Sequence, residues 1–220
     1  MRFKNFLFAT IIFATTANAQ SALTRGDAFV AQENYNAAIE EYSRVSVNDA
    51  NSYARAIYNI GVCHYELWQT EEAIAFYKRA IELKRGNYAR ASYALGIALE
   101  DQGRLAEAKQ AYARARNNFA PAIYKLGVLE ARSGELSKAA DLFRDAASRK
   151  GRHVPASHNN LGVMLARLGL LKEAEKSFIV ALKESDNHLD DAAHNLKLCR
   201  SLMLSTQVRD SEGFKLLNTE

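Results

Sequence analysis

The chain has 220 residues, 48% of them hydrophobic and 25% charged, which supplies a packed core and argues against a disordered polymer. Two prolines and eleven glycines stand against an abundance of Ala, Leu, Glu, Lys and Arg, so a loop-rich or β-rich fold is disfavoured. Lys and Arg number 29 against 25 Asp and Glu, without a basic stripe, and a nucleic-acid partner is not expected.

The first 19 residues differ from the rest. Arg2 and Lys4 form a positive start, Phe6 to Phe13 is a short apolar run, and Ala17-Asn18-Ala19 is a small-x-small site. This is the pattern of a secretory signal peptide cleaved between Ala19 and Gln20. The run is too short to span a bilayer; the alternatives are an uncleaved anchor or a buried N-terminal helix. No cysteine follows it, so a lipoprotein anchor is not expected, and no other segment approaches transmembrane length. Cleavage leaves 27 cationic against 25 anionic residues, so the pI of about 9.0 reflects near-balance. The mature chain is expected to be exported, to the periplasm or outside the cell, with no integral membrane span.

Beyond the leader the chain repeats. Gly26, Gly61, Gly96, Gly127 and Gly162 are spaced 35, 35, 31 and 35. Twelve residues after each comes Ala38, Ala73, Ala108, Ala139 or Ala174; four further on, Tyr42, Tyr77, Tyr112, Phe143 or Phe178. Three further on comes Val45, Ala80, Ala115, Ala146 or Ala181. Around these columns the apolar residues step by three and four, as on one helical face. The small residues would let paired helices cross closely, and the aromatic would fill the gap to the next unit. Gly103, Gly134 and Gly169 suit helix ends; Glu33 and Trp68 hold that place in the first two units.

These marked columns resemble the tetratricopeptide repeat: a Leu-Gly in helix A, then Ala, an aromatic and Ala in helix B. The resemblance covers about residues 20–203. The helix A Trp position holds Ala22, Ile57, Ser92, Ile123 and His158, and the proline near the end of helix B is absent from every unit. The implied fold is an all-α solenoid of five antiparallel helix-pair repeats, at about 20–52, 53–87, 88–118, 119–153 and 154–187, with a cap helix over 188–203. Helices are predicted over 20–33, 36–47, 53–67, 70–84, 88–102, 105–117, 120–133, 136–149, 156–168, 171–185 and 189–203. The short 31-residue step places a four-residue deletion near Asn117-Asn118. The polar stretch 204–220 is a flexible end or, around Phe214, Leu216 and Leu217, a short docking motif.

Residues that could carry chemistry are sparse. The sequence has no Gly-rich phosphate loop, no His-Glu-x-x-His and no Cys-x-x-Cys. His153 and His158 are five apart and His188 and His194 six, neither the spacing that puts two ligands on one helix face. No catalysis, cofactor or metal is expected. Cys63 and Cys199 lie four repeats apart; at ~10 Å per packed helix layer they exceed the ~7 Å reach of a disulfide, leaving buried thiols or an intermolecular bridge.

The resemblance implies a concave face lined by the A helices, a groove for a protein or peptide partner. The expected exposed positions are Arg55, Tyr58, Asn59, Val62 and Tyr65; Arg90, Tyr93 and Ile97; Tyr124, Lys125, Val128 and Arg132; Asn159, Asn160, Val163 and Arg167; and Asn195. Tyr58, Tyr93 and Tyr124 form a tyrosine stripe beside an apolar floor, offering large contact area with a polar tip. The amides can bond both sides of a peptide backbone, and the arginines form a positive rim. Alternatively the tyrosines fill space between adjacent A helices. Some tetratricopeptide domains hold partner C-termini in a carboxylate clamp; here only Asn59 and Arg90 match, with Leu23, Asp27 and Ala94 at its other places, so that activity is not carried over. The expected function is a non-catalytic interaction scaffold, by analogy of fold in cell-envelope assembly or secretion. The alternatives are a homo-oligomeric structural protein that self-associates, or a glycan or small-molecule binder.

Overall fold

The computed structural model describes residues 18–117 and 119–205, so the expected signal peptide up to Ala17 and the expected end or docking motif from Thr206 lie outside the described residues. Those residues form eleven helices: α1 (18–31), α2 (Tyr35–Ser43), α3 (Ala50–Glu66), α4 (Thr70–Leu83), α5 (Ala89–Asp101), α6 (Leu105–Ala115), α7 (Ala120–Arg132), α8 (Leu136–Ser148), α9 (Val154–Arg167), α10 (Leu171–Glu184) and α11 (Asp190–Leu204). No strand occurs among the described residues. The helices divide between two compact units that meet at Arg114–Ala115. In the first, α2 packs on α3, α3 on α4 and α4 on α5, while α3 also touches α5. In the second, α7 packs on α8, α8 on α9, α9 on α10 and α10 on α11, and α9 also touches α11. This is the helix-pair order of an α-solenoid.

Local chemistry sets the helix ends. Asp49 caps α3 by accepting from the Ser52 amide at 3.1 Å, which starts the helix three residues before the predicted 53, and α2 ends early, at Ser43, with Arg44 as its C-cap. Pro121 and Pro155 sit in the first turns of α7 and α9, where the missing N–H costs nothing. The turns between paired helices hold a left-handed residue: Gly103 at φ 70°, Gly134 and Gly169 at 80°, but Glu33 at 57° and Trp68 at 62°. The short repeat step is visible directly. α6 has 11 residues where α4 and α10 have 14, and one more is lost from the following link.

The aromatic column corrects one expectation. Each ring packs on the glycine of its own repeat, sixteen residues earlier, instead of filling the gap to the next. A Cβ on Gly61 would lie 2.8 Å from the Tyr77 ring, and one on Gly162 2.5 Å from that of Phe178. Tyr42, Tyr77, Tyr112, Phe143 and Phe178 are all buried. Burying a ring of this size contributes about 1.5–3 kcal/mol, so the column anchors each helix pair. Both cysteines are free and buried. Burial pushes the Cys63 thiol up to about 11, and the Cys199 thiol donates to the Leu171 carbonyl at 3.2 Å.

Candidate functional site

In the first unit the inner columns of α3 and α5 reach the surface. Arg55 and Arg90 are exposed, and Tyr58, Asn59, Val62, Tyr65, Tyr93 and Ile97 are partly exposed. The 3.6-residue turn of each helix gathers them on one face. The tyrosines are held in place. The Tyr58 ring lies 5.8 Å from Tyr77 and 5.4 Å from Tyr88, and the Tyr93 ring lies 5.7 Å from Tyr112. Burial raises the pKa of both Tyr58 and Tyr93, so their hydroxyls stay neutral. Val62 and Ile97 occupy the same column on successive inner helices and leave an apolar strip beside the rings.

A residue outside the predicted set organises one end of this face. Asp27, on α1, accepts from Tyr42 Oη at 2.7 Å, from Arg55 Nη2 at 2.8 Å and from Asn59 Nδ2 at 3.2 Å. Arg55 and Asn59 are therefore already engaged within the protein, and only part of their hydrogen-bonding capacity faces outward. The signal in the sequence was an acid one position after the phase glycine, where the other repeats carry Val62, Ile97, Val128 and Val163. At the other end, Tyr65 Oη donates to Asp101 and ties α3 to α5.

The second unit departs from expectation. Lys125 and Arg167 are half-buried and Arg132 is exposed, but Tyr124, Val128, Asn159, Asn160, Val163 and Asn195 are buried. The polar four form a chain across α7, α9 and α11. Asn195 Nδ2 donates to Asn159 Oδ1 at 2.9 Å, Asn159 Nδ2 to Asn160 Oδ1 at 3.2 Å, and Asn160 Nδ2 to Tyr124 Oη at 3.2 Å. Tyr124, Val128 and Val163 also belong to an apolar cluster with Ile123, Met164 and Leu202. The expectation of an exposed face at these six positions is thus corrected: they satisfy one another and fill a core, because buried amides must be bonded. The clue in the sequence was spacing. Tyr124, Asn160 and Asn159, Asn195 stand 36 residues apart, close to one repeat, so side chains on adjacent inner helices can meet.

Among the described residues no three His, Cys, Asp or Glu side chains converge on a metal-sized site, and no helix is long and apolar enough to cross a membrane.

Two sequence profiles, both described as tetratricopeptide repeat, match the chain: one over residues 12–86, the other over 83–123 and 124–196. No curated protein matches. Two crystal structures of MamA are similar, at 26% and 27% identity and a TM-score of 0.62 each; the matches cover 77% and 73% of this chain and 92% and 94% of theirs. MamA from Desulfovibrio magneticus RS-1, from residue 41 to its end, has 19% identity and a TM-score of 0.60, with 78% of this chain and 97% of that one covered, and shares the fold.

Proposed function

Because the chain belongs to the tetratricopeptide repeat family, we propose that it is a non-catalytic protein–protein interaction scaffold that holds a segment of a partner protein on the inner face of α3 and α5. One observation carries this reading: Val62 and Ile97 form a part-exposed apolar strip one helical turn from Tyr58 and Tyr93, whose rings are already fixed by Tyr77, Tyr88 and Tyr112. A face ordered before binding loses little side-chain entropy when a partner arrives. The rings supply contact area, and Arg90 adds a positive edge suited to an acidic residue of the partner. The leader sequence supports an exported protein, and the partner would then be a component of cell-envelope assembly or secretion.

The test is affinity capture from the native envelope with the full chain and with a variant carrying Ile97→Asp and Arg90→Glu. Both positions reach the surface, so circular dichroism should be unchanged, while recovery of the partner falls at least tenfold. Undiminished recovery by a normally folded variant would rule out this face.

A further inference from the structure

The turn between α3 and α4 differs from the three that carry glycine. Three of the five turns put glycine at the left-handed position, and this one puts Trp68 there, with φ of 62° and 92% of its surface exposed. Left-handed backbone is unfavourable for a bulky side chain, and an indole in water gains nothing from burial. Neither local conformation nor packing favours a tryptophan at this position.

Trp68 borders a recess of about 300 Å³, roughly ten times the ~30 Å³ share of one water molecule, lined also by Tyr65, Glu66, Thr70, Asp101 and Gln102. Its two aromatic rings offer electron-rich faces. Its two carboxylates, Glu66 and Asp101, are exposed, and neither pairs with a cation among the described residues; Asp101 accepts only from Tyr65 Oη. Glu66 and Asp101 are also the last residues of α3 and α5, so two helix C-termini add negative partial charge to the same place. The nearby Arg104 is turned to Glu71 and Glu107. Aromatic rings, carboxylates without a paired cation and helix C-termini all favour the same ligand charge.

We propose that this recess is a docking site for a lysine or arginine side chain presented by a basic segment of a partner protein. The cation lies against the Trp68 and Tyr65 rings and is neutralised by Glu66 and Asp101. The site stands apart from the apolar face of α3 and α5, with which it shares only Tyr65, and does not depend on it.

Trp68 is the only tryptophan of the chain, so fluorescence excited at the red edge, where the ten tyrosines do not absorb, reports on this recess. The full chain is titrated at physiological salt with hexalysine, with hexalysine acetylated at every side-chain amine, and with hexaglutamate. A saturable change with hexalysine alone is expected. Labelled hexalysine, followed by anisotropy, should bind Trp68→Gly at least tenfold more weakly, and Glu66→Gln with Asp101→Asn likewise. Trp68→Gly restores the residue that three other repeats use, so it should fold at least as well, and loss of binding cannot be assigned to misfolding. Ile97→Asp with Arg90→Glu should retain hexalysine, which separates this site from the inner face. Equal binding of hexalysine by Trp68→Gly, or an equal response to the acetylated peptide, would overturn the proposal.

Discussion

Asp27 and Asn160 show how single residues decide which part of the inner face is open. Asp27 gathers three donors and holds Arg55 and Asn59 in position at the surface. Asn160 sits in a buried chain of polar side chains, and its removal takes one hydrogen bond from each of Asn159 and Tyr124. Asn160→Ala should therefore cost about 1–3 kcal/mol of unfolding free energy, measured by urea denaturation. A change within a few tenths would mean that the amide chain contributes little. Trp68→Gly should act in the opposite direction, stabilising by about 1 kcal/mol, because a left-handed residue with a Cβ is replaced by one without. The sequence displayed the tyrosine, valine and asparagine columns but could not say which columns face water. A shared phase fixes the side of the helix, and the neighbouring inner helix then decides burial. For Tyr124 and Asn160 that neighbour lies a repeat away, and only its own polar residue shows that the two meet.

Among the helices, the repeat was legible almost throughout. Periodic apolar positions and glycine or proline punctuation placed ten predicted helices within a few residues of those observed, while α2 ends four residues early, at Ser43. The role of the aromatic column was not legible, since spacing alone does not separate packing within a repeat from packing between repeats. Gly162→Ala tests the observed answer. Its new Cβ would lie 2.5 Å from the Phe178 ring, which is fully buried and has no room to retreat. A loss of about 1–3 kcal/mol is expected from overpacking, read as a lower denaturation midpoint. A midpoint equal to that of the unaltered chain would show that the helix pair can separate without cost.

For the whole molecule, acid should weaken the fold through its buried histidine. His153 is buried, faces the Ala146 carbonyl at 3.1 Å through Nε2, and has its pKa held below the ordinary 6.5, chiefly by burial. The unfolded chain takes up the proton first as pH falls, so stability is full above the ordinary histidine range and is lost on descending through it toward the folded-state pKa. The melting temperature should fall between pH 7.5 and pH 5, and His153→Gln should flatten that slope; a slope unchanged by the substitution would exclude His153 as its source. A partner protein held on the inner face of α3 and α5 is detected by site-specific photo-crosslinking in the native envelope. A photoreactive residue is placed at Val62 or Ile97 on that face, or at Lys78 or Ala106 on the exposed outer helices α4 and α6. One discrete cross-linked species is expected from Val62 and Ile97 and none from Lys78 and Ala106. The same species from the outer positions alone, with none from Val62 or Ile97, would contradict binding on the inner face.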